Sequence, residues 1–225
     1  MLKWIIRTLF FIVGSFLGAQ VIIRLFLRVT PLNVPDRLNA FLATPARRLY
    51  RDPGKVIDLL GVHRNSVILD AGCGKGIFTV EAARRVGQRG LVHAVDRRAK
   101  MIELVARRLD VAQLGSQVQL TISPLDAMPI ENDSVDAAMM ISALPTIPDR
   151  LAALKEIKRV LKPCGVLVIG EELLEPQYVR PIIIQEWTLE AGFKLVGRSG
   201  SPFSYLLKFV KPVSVSEVAG SNEVV

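Results

Sequence analysis

Cysteine, histidine and most aromatic residues are scarce in this 225-residue chain, which has two Cys, two His, two Trp and three Tyr. Cys73 and Cys164 stand far apart and without metal-type spacing. That excludes a disulfide framework and a zinc site, and it suits a reducing compartment. His63 and His93 belong to no acid–nucleophile pattern and read as ordinary surface or strand residues rather than catalytic bases. No metal site is expected. Acids are also in deficit: 21 Asp and Glu against 29 Lys and Arg leave a net charge of +8. No internal repeat and no nucleic-acid-binding motif accompanies that charge, so nucleic acid is not an expected partner. A cleavable leader is not expected either, because Leu17-Gly18-Ala19 fits a cleavage site poorly.

The charge that is present is unevenly placed. Residues 1–55 carry nine Lys and Arg against two acids, so +7 of the +8 lies there and the remaining 170 residues are nearly neutral. The same end holds the most apolar stretch, Trp4 to Arg28, which raises the mean hydropathy to +0.36. Its uncharged part, Thr8–Ile23, is 16 residues long, and a bilayer core needs roughly 20 residues of helix. Arg7 and Arg24 flank it and can extend toward the interfaces, with Trp4 at head-group level. Apolar residues cover most of the helix surface, which favours a single crossing over a helix lying in the interface. The arginine-rich side, from Arg24 to Arg51, would stay in the cytoplasm together with the rest of the chain. Basic residues next to an apolar run suggest anionic lipid head groups.

Four segments follow from this. Residues 1–29 read as a membrane helix, and 30–55, with four prolines, as a basic linker with short helices. Residues 56–210 read as the main domain, and 211–225 as an aperiodic tail. Within the domain, strand and helix patterns alternate. Strands are expected at 66–72, 91–96, 118–123, 135–142 and 166–173, with helices at 76–87, 99–115, 148–165 and 180–192. Two closing strands, 193–200 and 204–211, form a hairpin. The fold class is α/β: a doubly wound, mostly parallel seven-stranded sheet with an antiparallel edge hairpin.

The loop after the first strand, Asp70-Ala71-Gly72-Cys73-Gly74-Lys75-Gly76, falls at the carboxyl edge of such a sheet, where ligands bind. A phosphate-binding loop needs Ser or Thr after Gly-Lys, and Gly76 stands there instead. A dinucleotide loop needs glycine where Ile77 stands. The remaining pattern is an acid, a spacer and GxGxG, with a second acid, Asp96, ending the second strand.

On these residues the chain resembles the class I S-adenosylmethionine-dependent methyltransferases of the ubiquinone/menaquinone type. Asp96 at the end of "HAVD" and the stretch from Met128 through "VLKPCGVLVI" match further motifs of that family in order, over roughly residues 55–210. The resemblance implies a Rossmann-like methyltransferase fold and S-adenosylmethionine as cofactor. It places Asp70, Ala71, Gly72, Cys73, Gly74 and Gly76 at the methionine end and Asp96 on the ribose hydroxyls. Arg97 and Met101 would flank the adenine, Leu125 and Asp126 would reach its edge, and Ser142 follows the fourth strand. No phosphate has to be gripped, which agrees with the missing lysine–hydroxyl pair.

Three positions depart from the family. Pro124 stands where relatives often carry an adenine-binding Asp, Pro145 where many carry a His, and Cys164 replaces the first glycine of "PGG". No catalytic base is assigned. Glu171, Glu172, Tyr178 and Arg180 are placed where an acceptor pocket could form, and the apolar N-terminus points to a small lipophilic acceptor such as a quinone or lipid. Oligomeric state is not fixed by the sequence. Two other readings stay open: a membrane-anchored cofactor-binding scaffold without turnover, and a nicotinamide oxidoreductase.

Overall fold

The computed structural model describes residues 1–29, 52–173, 175 and 177–213. Most of the expected linker and of the tail beyond residue 213 therefore lies outside the described residues. Leu2–Val29 form one helix, α1. Among the described residues no helix is long and apolar enough to cross a membrane. The crossing expected of this segment is thus not supported. Its uncharged run is shorter than a bilayer core requires, and charged residues interrupt the rest. What the described part of α1 does show is exposure: Trp4, Ile5, Ile6, Leu9, Phe10, Phe11 and Ile12 all face outward.

The remaining elements run α2 (Pro53–Leu60), β1 (Val67–Ala71), α3 (Ile77–Val86), β2 (Leu91–Asp96), α4 (Ala99–Ala112), β3 (Val118–Ile122) and β4 (Val135–Ile141). They continue with α5 (Arg150–Val160), β5 (Leu161–Glu172), α6 (Pro181–Glu190), β6 (Lys194–Ser201) and β7 (Ser204–Val210). The strands form one seven-stranded sheet in the order β3-β2-β1-β4-β5-β7-β6. β1 to β5 are parallel, and β7 runs antiparallel to both β5 and β6. This is the expected doubly wound sheet with its antiparallel end.

Period-two burial along the strands supplies one core on each face. Leu69, Ala138, Leu167, Ile169, Tyr205, Leu207 and Phe209 pack with Leu154 and Ile157 of α5 and Ile184 of α6. Ile68, Ala137, Met139 and Val168 pack on the other face with Ala82, Ala83 and Val86 of α3 and with Val56, Ile57 and Leu60 of α2. α2 is held at its start by Asp52, whose side chain accepts from the Gly54 N–H at 2.9 Å, and Pro53 occupies the first helical position.

β5 begins five residues earlier than the hydrophobic pattern predicts. Leu161 pairs with Val135, but the register then shifts so that Val166 pairs with Ala137. Lys162–Gly165 therefore form an irregularity within the strand. The end of β7 ties it down: the Cys164 N–H donates to the Lys211 carbonyl and the Lys211 N–H to the Gly165 carbonyl. A Lys-Pro-Cys-Gly run reads as a helix stop, and nothing in its composition says that the sheet already resumes there.

Candidate functional site

The order of the sheet reverses between β1 and β4, so their carboxyl ends open a crevice where chain leaves the sheet in opposite directions. Asp70, on β1, is 2% exposed, and the Thr79 hydroxyl of α3 donates to its Oδ2 at 2.6 Å. Burial above all pushes the Asp70 carboxyl up to about 7; the Thr79 bond opposes the rise and the charge of Asp96 adds to it. Ala71 ends the strand in full burial.

The loop then turns back on β2: the Gly72 and Cys73 N–H groups both donate to the Val95 carbonyl, at 2.9 and 3.0 Å. Gly72 has φ +79, and a Cβ there would stand 2.7 Å from the Ala143 Cβ, so only glycine lets the β4 loop close over β1. At Gly74 (φ +51) a Cβ would find nothing nearer than the Gly72 carbonyl oxygen at 4.0 Å. This part of the loop faces open space. Gly76 begins α3. Cys73 is buried against Ile102, Val105 and Leu109. Burial and the two nearby carboxylates raise its thiol pKa, which leaves it inert as a nucleophile.

Asp96 closes β2 at 4% exposure. Its Oδ2 accepts from the Gly74 N–H at 3.1 Å and its Oδ1 from the Arg98 N–H at 3.0 Å, while the Arg98 guanidinium reaches both oxygens. Arg97 is exposed beside it, and Met101, in the first turn of α4, is 6% exposed. Leu125 is buried, its Cδ1 3.8 Å from where a Cβ on Gly72 would stand, whereas Asp126 is exposed. Ser142, just past β4, has φ +53, and its buried hydroxyl lacks a hydrogen-bond partner among the described residues. The structure thus brings Asp70, the glycine loop, Asp96 and Ser142 to one sheet edge.

Residues 68–165 match the methyltransferase domain family. Over this stretch the chain carries a methyltransferase domain, for which S-adenosylmethionine is the cofactor. It is 29% identical over 177 residues to the demethylmenaquinone methyltransferase of Staphylococcus aureus (strain JH9), covering 76% of this chain and 70% of that relative. Among solved structures it resembles a SAM-dependent methyltransferase from Aquifex aeolicus (TM-score 0.71, 22% identity), over 80% of this chain and 99% of that one. It also resembles the [4+2]-cyclase SpnF (TM-score 0.62, 18% identity), over 72% and 81%. Both structural likenesses speak for the fold alone.

The edge of this methyltransferase fits S-adenosylmethionine chemically. Two buried carboxylates suit a ligand with cationic and hydroxyl groups, Gly74 leaves backbone open to approach, and the Ser142 hydroxyl has bonding capacity to spare. Neither departure at a proline disrupts the edge. The Ser123 hydroxyl closes the turn containing Pro124 by donating to the Ala127 carbonyl at 2.8 Å. Pro145 lies buried in the Leu144–Thr146 turn, and its carbonyl accepts from Arg150, which stacks on Trp187 4.7 Å from the ring centre. Both histidines sit away from this edge: His63 precedes β1 and His93 lies within β2.

One pair was not read from the sequence. Glu156 of α5 accepts the Met128 N–H at 2.8 Å, and Arg159 donates to the Met128 and Ile130 carbonyls and to Asn132. Together they brace the loop that carries Leu125. In sequence they are merely an acid and a base three apart on a helix, a common surface pattern. The acceptor candidates separate: Glu171 and Glu172 are buried in β5, while Tyr178 and Arg180 line an open groove of about 430 Å³ with Leu173, Ile182, Arg198 and Phe203.

Proposed function

We propose that this methyltransferase acts at a membrane surface on a small lipophilic acceptor, a quinone or lipid, and that its catalytic domain lies in the cytoplasm. The observation that carries the reading is α1, a helix whose described large apolar side chains are exposed, in a segment holding nearly all the excess positive charge. A water-soluble surface rarely leaves so much contiguous apolar area bare, and adjacent arginines add attraction to anionic lipids. Contact without crossing, with α1 lying in the interface, agrees with the short uncharged run. The quinone methyltransferase among the relatives supports the acceptor class.

S-adenosylmethionine supplies a methyl group already activated on a sulfonium. The protein's work is then alignment and exclusion of water. We assign the ribose hydroxyls to Asp96 and the cationic methionine end to Asp70. Gly72, Gly74 and Gly76, with Ala71 and Cys73, form the backbone against which the ligand lies. Arg97, Met101, Leu125 and Asp126 border the base, and Ser142 offers a hydroxyl across the crevice. No side chain is needed as a dedicated base for acceptors that ionise readily.

The test measures S-adenosylhomocysteine formed by the full chain from quinone and lipid extracts, beside Asp96→Ala. Product from the extracts with wild type, and loss of it with the variant, is expected. With the methyl group of the cofactor labelled, label passing only into water-soluble metabolites overturns the acceptor class. Tight cofactor binding without turnover on any acceptor would instead favour the scaffold reading.

A further inference from the structure

Beyond the cofactor edge, the Pro202–Phe203 turn that closes the β6–β7 hairpin and the start of α6 at Pro181 form a fixed apolar wedge. Phe203 at its tip is 58% exposed, and Ile182, in the first turn of α6, is 51% exposed. The wedge is built rather than loose. The Tyr178 hydroxyl donates to the Pro202 carbonyl, the Leu173 N–H donates to the Phe203 carbonyl at 2.7 Å, and the Tyr205 hydroxyl donates to the Val179 carbonyl at 2.6 Å. Tyr178 and Tyr205 meet edge to face at 6.1 Å. Arg180 and Arg198 border the same groove. Both are exposed, and neither is ion-paired among the described residues. The groove opens where β5 ends, on the sheet edge that also carries Asp70 and Asp96.

We propose that this wedge, with Phe203 and Ile182 at its apex and Arg180 and Arg198 beside them, is a second membrane contact that docks on anionic lipid. The inference rests on the membrane reading above and deepens it. Apolar tips insert among head groups, and guanidiniums next to them meet lipid phosphates, to which they bond in a fixed fork. Charge also limits the footprint. Glu186 and Glu190 lie one and two turns farther along α6 and are exposed, so only the first turn of that helix suits an anionic surface. The parallel strands end on this side, so docking here turns the cofactor edge toward the bilayer. A lipophilic acceptor then reaches that edge without crossing water. α1 holds the protein to the membrane, and the wedge sets which way the domain faces.

Amide hydrogen exchange of the full chain tests this, comparing free protein with protein on phosphatidylcholine vesicles and on vesicles containing phosphatidylglycerol. The amides at the wedge sit in a turn and a helix start, where exchange is fast in free protein. With the anionic vesicles, exchange at Ile182 and Phe203 is expected to slow by about tenfold. Arg180→Glu with Arg198→Glu should abolish that slowing while leaving α1 protected. Phe203→Ser provides a second, milder variant, and unchanged S-adenosylhomocysteine binding shows that either one folds. Protection of α1 without any change at the wedge overturns this inference and leaves the membrane reading standing. No protection anywhere overturns both. Wedge protection that grows with protein concentration and needs no vesicle assigns the surface to a second copy of the chain and overturns the lipid proposal.

Discussion

Arg98 grips both oxygens of the Asp96 carboxylate, Nε at 3.1 Å from Oδ1 and Nη2 at 3.2 Å from Oδ2. With the Gly74 and Arg98 amides, four N–H donors converge on one carboxylate, which has about four lone-pair positions to offer. Any hydroxyl that binds there has to share or displace a donor. The amides are fixed by the loop, whereas the Arg98 side chain is 51% exposed and can swing away. Arg98→Ala should therefore tighten S-adenosylhomocysteine binding by roughly two- to threefold, the scale of an exposed ion pair. Asp96→Ala should weaken it by about 1.5–3 kcal/mol, the scale of hydrogen bonds to a charged group. Titration calorimetry on the two variants checks both signs, and weaker binding by Arg98→Ala would show that the guanidinium helps hold the ligand.

Asp70 gives the site a pH dependence. Its carboxyl is shifted up from 3.8 to about 7, so the folded chain holds that proton more tightly than the unfolded chain does. The contribution of Asp70 to stability accordingly falls as pH rises from about 4 to about 7, and it levels off above. Binding of a cationic group beside Asp70 favours the carboxylate. Affinity for S-adenosylmethionine should then climb with pH and reach a plateau above about 7. Asp70→Asn should flatten that climb and raise the melting temperature of the ligand-free protein at alkaline pH. Affinity independent of pH in the wild type would remove Asp70 from the cationic end.

Two glycines of the loop should fail in different ways. At Gly72 an added Cβ meets Ala143 at 2.7 Å, while at Gly74 it meets only open space. Gly72→Ala should lower stability by about 1–3 kcal/mol through overpacking, with binding lost alongside. Gly74→Ala should cost only the strain of a positive φ, about 1–2 kcal/mol, yet still weaken binding, because its methyl occupies the face left open to a ligand. Urea denaturation and calorimetry separate the two.

Cys164 and Gly165 make a similar contrast. Cys164 holds φ +62 without being a glycine. Cys164→Gly relieves that conformation and should add about 0.5 kcal/mol after the entropy cost of glycine. At Gly165 a Cβ would stand 2.7 Å from the Lys162 carbonyl oxygen and 3.3 Å from that of Asp136. Gly165→Ala should destabilise by more than 1 kcal/mol. Thermal melts decide, and a loss on Cys164→Gly would show that its side chain contributes packing not visible as strain.

Most of the sheet was legible because its strands are apolar runs punctuated by glycine and acids, and the loop was legible because Asp70, its three glycines and Asp96 stand at telling intervals. Less was legible where pairing rather than composition decides. The early start of β5 depends on Leu161 meeting Val135 across the β4–β5 register shift. The brace from Glu156 and Arg159 depends on a loop folding back onto α5. Arg98 carries no mark in the sequence, and its grip on Asp96 is seen only in the folded chain.

Among the described residues, the last strand along the chain is not the last in the sheet. β7 sits between β5 and β6, aligned along seven residue pairs with each, and carries Tyr205, Leu207 and Phe209 into the core. During synthesis, β6 thus emerges with no partner to join, and the open side of β5 waits as well. The order of assembly on this flank is set by β7: β5 and β6 can join only after it has been made. A chain cut between β6 and β7 would leave two strand edges exposed at once, so it should go to aggregation or proteolysis instead of yielding a shortened enzyme.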